Sequence, residues 1–96
     1  MLYRFLSPAL KEITQAAEYY DARVSGLGGD FVDEVDVAID LVLQYPAAWG
    51  SISAEFRRCN LRRFPYAIVY TIIEAEILIV SVFHQNREPE SWRKNL

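Results

Sequence analysis

The stretch Tyr66-Ala67-Ile68-Val69-Tyr70-Thr71-Ile72-Ile73-Glu74-Ala75-Glu76-Ile77-Leu78-Ile79-Val80-Ser81-Val82-Phe83 decides how this chain folds. Its 18 residues include ten Ile, Leu, Val or Phe, enough to raise the question of a membrane-spanning helix. On the insertion scale those ten are worth roughly −3 to −6 kcal/mol, whereas two carboxylates at the centre add roughly 5 to 7 kcal/mol. Glu74 and Glu76 therefore argue against insertion and mark a turn. Tyr66 to Ile73 and Ile77 to Phe83 become the arms of a β-hairpin, rich in β-branched and aromatic residues. Alternation puts Tyr66, Ile68, Tyr70 and Ile72 on one face of the first arm and Ala67, Val69, Thr71 and Ile73 on the other. The second arm divides into Ile77, Ile79, Ser81 and Phe83 against Leu78, Val80, Val82 and His84. Both faces of both arms are largely apolar, the pattern of strands covered on two sides.

Working outward, Phe56 to Phe64 alternates as a third strand, bounded by Pro65. Cys59 and Leu61 share one side with Arg57 and Arg63, and Arg58, Asn60 and Arg62 lie on the other. Before it, Ala47 to Ser51 has the composition of a loop. Further upstream, Phe31, Val35, Ala38, Val42 and Tyr45 recur at helical spacing with Asp33, Asp36 and Asp40 largely outward, and Pro46 stops the pattern. Leu10, Ile13, Ala17, Tyr20 and Val24 form a second such face. Ser7-Pro8 is a helix-start signal with Ser at the N-cap and Pro at the first helical position. Tyr3 to Leu6 is a short first strand. The Gly-rich segment Ser25 to Gly29 is so short that the two helices must pack antiparallel. The order is β-α-α-β-β-β in a single domain spanning 1–96: an α+β fold, a mostly antiparallel sheet packed on one face by a two-helix hairpin, with a C-terminal tail from Gln85 that turns helical after Pro89.

At 96 residues, 52% hydrophobic and 14% aromatic, the chain has more apolar side chains than a small core readily hides. Since a helical hairpin covers only one sheet face, the surplus is expected on the opposite face, as a partner-binding patch. The net charge of −3 divides into −5 over residues 1–50 and +2 over 51–96, where Arg57, Arg58, Arg62 and Arg63 cluster. The acidic half is expected to be mainly a solvated helical face. One cysteine, Cys59, allows no internal disulfide and fits a reducing cytoplasm. Arg4 interrupts the short apolar run at the N-terminus, so no signal peptide is expected. Gly26, Gly28 and Gly29 follow no strand and precede no Lys-Ser/Thr, so they form a helix cap and turn rather than a phosphate loop.

Taken in order, several pieces resemble the RelE/ParE toxin superfamily, and its ParE side in particular. They are Gly26-Leu27-Gly28 between the helices, Pro46 followed by Trp49, Leu61-Arg62-Arg63-Phe64-Pro65-Tyr66 leading into Val69-Tyr70, and His84 followed by Arg87, Pro89, Trp92 and Arg93. The resemblance covers nearly the whole chain. It implies the toxin half of a type II toxin–antitoxin pair, neutralised by a cognate antitoxin that wraps it with an extended or helical tail. Toxins on this fold either poison DNA gyrase or cleave messenger RNA on the ribosome. The chain departs from the general pattern in its Glu74-Ala75-Glu76 turn and in its negative net charge.

Metal-free RNA cleavage needs a base, an acid and cations for the phosphorane. His84, the only histidine, is the natural proton carrier; Arg62, Arg63 and Arg87 could clamp phosphate; Glu55, Tyr66 or Tyr70 could exchange protons if their pKa values were shifted. RelE-type nucleases carry lysines in the central strands and a tyrosine near the C-terminus. Here the only lysines are Lys11 and Lys94, and the comparable tail aromatic, Trp92, has no proton to give in acid–base work. The balance favours a toxin that acts by binding gyrase, with a ribosome-dependent endoribonuclease as the alternative and a non-toxic interaction module as the third. Arg57, Arg58, Arg62, Arg63, Tyr66, Tyr70, Arg87, Trp92 and Arg93 are the expected partner contacts, because arginine forks suit carboxylates and tail aromatics suit interfaces. No cofactor or metal is expected. A homodimer or a hetero-oligomer with the antitoxin is compatible with this reading.

Overall fold

Leu6 joins sheet to helix. In the computed structural model, which describes residues 1–96, its N–H is still bonded to the Ile79 carbonyl at 2.9 Å while its own carbonyl accepts from Ala9 and Leu10. Strand β1 (Leu2–Phe5) thus passes directly into helix α1 (Ser7–Arg23), with Leu6 as the N-cap residue. Ser7, expected at the cap, is instead the first helical residue and makes no side-chain cap, because pairing with Ile79 sets the boundary one residue earlier.

Helix α1 buries Ala9 and Ala16 completely and Ile13, Ala17 and Tyr20 in part. Leu10 and Val24, expected on this face, are 49% and 58% exposed, so the stripe in contact is rotated toward the smaller residues. Helix α2 (Leu27–Gln44) buries Phe31, Val35, Ala38 and Val42 as its spacing predicts, with Ile39 added; Tyr45 lies past the last turn and is exposed. Between the helices Gly26 adopts φ +88°, a left-handed conformation that costs glycine nothing. Gly28 serves a different need. A Cβ there would run into the Ala17 carbonyl oxygen, and its N–H donates to Asp21 Oδ1 at 2.7 Å, so the two helices are in direct backbone contact at this point.

The sheet has five strands in the order β1-β5-β4-β3-β2, with β2 at Gly50–Ser51, β3 at Phe56–Asn60, β4 at Tyr66–Ile73 and β5 at Glu76–His84. Only the β1–β5 pair is parallel. The two-residue strand β2 was expected to be loop; it is too short to show alternation and exists through its pairing with Arg57 and Arg58. Strand β3 ends at Asn60, not Phe64. Past it the Leu61 N–H turns back to the Tyr66 carbonyl, and Glu34 Oε1 on α2 accepts from the Arg62 and Arg63 N–H groups at 3.0 and 2.8 Å. A carboxylate of the second helix thereby replaces a strand partner.

The β4–β5 hairpin forms as expected, closed by Glu74 and Ala75 alone, both at positive φ (49° and 64°). A register shift between Val69 and Tyr70 leaves Val80 as an extra residue on β5. Beyond that bulge the faces exchange. Val82 joins Ile68, Tyr70, Ile77 and Ile79 under the helices, while Phe83 joins Ala67, Val69, Leu78 and Val80 on the other side. Simple alternation, which paired Phe83 with Ile77 and Val82 with Leu78, fails at this point.

The second sheet face is not an open patch. The tail ends in a 3₁₀ helix (Ser91–Asn95) that lays Trp92, 1% exposed, against Ala67, Val69, Val80 and Phe83, with the Phe56 ring centroid 4.7 Å away. The expected surplus is therefore largely covered by the chain itself. What stays open is the end beneath the hairpin tip, where Ile72, Ile73 and Leu96 are exposed around a cavity of about 600 Å³.

Candidate functional site

The arginine segment divides into residues spent on the fold and residues left outside. Arg57 points its guanidinium at the loop before β2 and donates to the Trp49 carbonyl at 2.7 Å. Tyr70, fully buried, donates to the Pro46 carbonyl in the same loop at 2.6 Å. Burial pushes the Tyr70 phenol up to about 12 despite the opposing charge of Arg57. Both are expected at a partner surface; in the structure both pin the α2–β2 loop to the sheet, Tyr70 from a fully buried position and Arg57 from a half-buried one. Trp92 is likewise corrected from contact residue to core. Cys59 is buried, and desolvation raises its thiol pKa, the environment of an inert cysteine.

Arg58, Arg93 and the pair Arg62 and Arg63 are accessible in three separate places. Arg58 leaves the far face of β3, donates to Asn60 Oδ1 at 2.9 Å and stands 5.3 Å from the Phe83 ring. Arg93 lies over Trp92 at 4.5 Å and pairs with Glu90. Arg62 and Arg63 stand on the turn after β3, with Arg63 3.6 Å from Asp30 in an exposed pair that contributes about 0 to 1 kcal/mol. This turn forms one wall of a groove of about 570 Å³ whose other wall is α2, with Val37, Leu41 and Trp49 as apolar lining. The groove offers an apolar floor and two guanidinium groups at its edge, the complement of an amphipathic acidic segment.

His84 and Arg87 are elsewhere. They line a separate cleft of about 440 Å³ between α1 and the end of β5, together with Tyr66, Tyr19, Gln15 and Glu12. The Tyr66 and His84 rings meet edge to face at 5.1 Å. The His84 Nδ1 accepts the Asn86 N–H at 3.0 Å, which places the proton of the neutral ring on Nε2. Burial, reinforced by the neighbouring Tyr20, raises the Tyr66 phenol, with Arg87 opposing. A phenol shifted upward is neutral at pH 7 and is no base. The residues expected to serve a nuclease are thus only partly assembled: His84, Arg87 and Tyr66 share this cleft, while Arg62 and Arg63 line the α2 groove, and no residue lines both. Glu55 is exposed on the β2–β3 connection, where its backbone carbonyl accepts from Thr71.

Two residues escaped sequence reasoning. Glu12 lies on the flank of α1 and its Oε1 accepts from Ser81 Oγ (2.9 Å), the Val82 N–H (3.1 Å) and Asn95 Nδ2 (3.1 Å). Glu34 holds the arginine turn. Each looks in sequence like one more solvent-facing carboxylate of the acidic half, and only the tertiary approach of strand and helix distinguishes it. No group of three His, Cys, Asp or Glu side chains is placed to hold a metal ion, and no helix is long and apolar enough to cross a membrane.

A small α+β domain with a helical hairpin on one sheet face, a cationic turn and open clefts at its surface has the form of a binding module. The family model for the ParE toxin of type II toxin-antitoxin systems, parDE, matches residues 3–89, and the chain belongs to that family. Among solved structures it is similar to a chain of the chromosomal ParDE TA system from P. aeruginosa, with a TM-score of 0.77 and 16% sequence identity over 88% of this chain and 95% of that one. At that identity the likeness is one of fold. No curated protein matches the chain significantly.

Proposed function

We propose that this ParE-family toxin works in the cytoplasm by binding its target, DNA gyrase, and is held inactive by a cognate antitoxin. The observation that carries the binding mechanism is the separation of the candidate catalytic groups. The only histidine and the phosphate-clamping pair Arg62 and Arg63 line different clefts, and the phenol beside His84 is shifted away from base chemistry. The antitoxin is assigned to the cationic side of the molecule, its acidic, apolar segment lying along the α2 groove at Arg62 and Arg63 and reaching Arg58. This replaces the sheet face, which Trp92 occupies.

Expression of the toxin alone, with and without His84→Ala, tests the mechanism. Growth arrest with gyrase-trapped DNA breaks, retained in the variant, is the expected result. Codon-phased cuts in translated messages, lost in the variant while the fold is preserved, would establish the nuclease instead. The convergence of His84, Arg87 and Tyr66 in one cleft is the observation that keeps this second reading in the experiment.

A further inference from the structure

The cleft between α1 and the end of β5 has a lining that neither the antitoxin nor the binding mechanism uses. Over an apolar base of Ala16, Val82 and Phe83, its functional groups fall into three chemical kinds. At one side are cationic and neutral donors: the Arg87 guanidinium, and His84 with its Nδ1 already engaged by Asn86 and its Nε2 left as the donor. The second kind is aromatic, Tyr66 and Tyr19. Tyr19 is 50% exposed, carries the Arg23 guanidinium 3.7 Å from its ring centroid and meets the Tyr20 ring edge to face at 5.4 Å, so its ring is held in place with half its surface open. The third kind is polar and acceptor-bearing: the Gln15 amide, and Glu12, whose Oε1 is saturated by three internal donors so that Oε2 is its uncommitted oxygen.

Each kind taken singly is ambiguous. A simple oxyanion site does not place a carboxylate in its wall, and an apolar groove does not carry arginine, histidine and glutamate together. A nucleoside monophosphate satisfies all three: its phosphate suits the arginine and histidine donors, its base an aromatic face with a neighbouring amide, and its ribose hydroxyls a carboxylate acceptor. A cavity of about 440 Å³ is within the range of small-ligand sites. We infer that this cleft is a binding site for a nucleoside monophosphate. The inference concerns binding alone, with no bond made or broken, and is independent of whether gyrase is the target.

Because His84 is the only histidine, its ring resonances report on this cleft without ambiguity. The full chain is titrated with UMP and AMP, and separately with uridine, inorganic phosphate and glutarate, while the His84 ring signals are followed by NMR. Saturable shifts with a dissociation constant on the order of 1 mM or tighter are expected for the nucleotides, and at least about tenfold weaker effects for the other three. Arg87→Gln should weaken UMP binding at least about tenfold. Tyr19→Ala should bring UMP down toward inorganic phosphate. Arg87 and Tyr19 are exposed, so the amide spectrum of each variant should otherwise be unchanged. Absence of a saturable shift with either nucleotide overturns the inference. So does equal binding of phosphate or glutarate, which would make the cleft a general oxyanion site, or undiminished UMP affinity in both variants.

Discussion

Asn95 Nδ2 donates to Glu12 Oε1 at 3.1 Å, joining the first helix to the last turn of the chain across 83 positions. The same amide donates to the Val80 carbonyl at 3.0 Å, and the same carboxylate accepts the Val82 N–H. These two side chains occupy the edge of β5 that β1 leaves bare after Ile79, where unpaired backbone groups would otherwise be exposed to strand addition. Glu12→Ala orphans the Val82 N–H and the Ser81 hydroxyl together and should cost about 2 to 4 kcal/mol. Asn95→Ala removes one neutral donor and should cost about 1 kcal/mol. Urea unfolding midpoints at constant m-value measure both; equal, negligible shifts would show that the edge is satisfied by water.

Trp92 is the side chain by which the tail closes the second sheet face, beside Leu6 and Phe56. Replacing it by Ala removes a fully buried indole and its contact with Phe56, at a cost of about 3 to 5 kcal/mol. Against a total stability of about 5 to 15 kcal/mol, that is enough to populate unfolded chain or to free the apolar face. The expected signature is a lowered urea midpoint with increased binding of a hydrophobic dye under native conditions. Arg93→Ala, which removes the exposed cation over the ring and its exposed pair with Glu90, should change the unfolding free energy by no more than about 0.5 kcal/mol.

How much of this was legible in the sequence depended on whether a signal was local. The helical faces of α2, the hairpin of β4 and β5 and the two-sided burial of that hairpin all follow from spacing and composition. The bulge at Val80 has no such signal: Ser81 is small and polar in an apolar run, and nothing in the run says that Phe83 changes sides. Trp92, Arg57 and Tyr70 were expected outside because aromatic and arginine side chains suit interfaces. The same amphipathic character lets them fasten a tail and a loop internally, and choosing between the two uses requires the loop's position. In the candidate site, the clustering of arginines was visible, but its division into a loop-holding Arg57, an outward Arg58 and the groove-edge pair Arg62 and Arg63 was not, since strand β3 ends four residues sooner than its alternation suggests.

Ala75 sits at φ +64° in the two-residue turn that closes β4 on β5, where a Cβ costs about 1 to 2 kcal/mol. Glycine removes that strain but adds unfolded-state entropy, so Ala75→Gly should stabilise by a net of about 0.5 to 1 kcal/mol. Asn at position 74, the residue favoured in such turns, should add to it. Thermal unfolding of the single and double variants checks both, and a loss of stability in Ala75→Gly would mean that the turn carries no strain.

The buried phenols set an alkaline limit. Tyr70 holds its proton to about pH 12 in the fold, whereas an unfolded tyrosine loses it near 10. Between those values the unfolded chain binds fewer protons, so stability is complete below pH 10 and declines as pH rises toward 12. Tyr66 and Tyr20, also raised by burial, act in the same direction. Tyr70→Phe should flatten that decline while losing the hydrogen bond to Pro46, lowering stability by about 1 kcal/mol near neutrality. Unfolding midpoints at a series of pH values up to 11 separate the two effects.

Arg57 and Arg58 are adjacent in sequence and opposite in use, which gives the proposed antitoxin surface an internal control. Arg57→Ala deprives the Trp49 carbonyl of its donor and loosens the α2–β2 loop, so it should lower stability by about 1 to 2 kcal/mol. Its effect on antitoxin affinity should be secondary. Arg58 and Arg62 are outward, and neither bonds to the rest of the fold through its side chain beyond the local contact of Arg58 with Asn60 and its position near Phe83. Replacing both by Gln should leave the unfolding midpoint within about 0.5 kcal/mol of the parent and weaken binding of an acidic antitoxin about tenfold or more. The loss should shrink at high salt, because exposed cations act through a screened field. Calorimetric titration of antitoxin into the double variant at two ionic strengths decides the matter, and an unchanged dissociation constant at low salt would remove Arg58 and Arg62 from the interface.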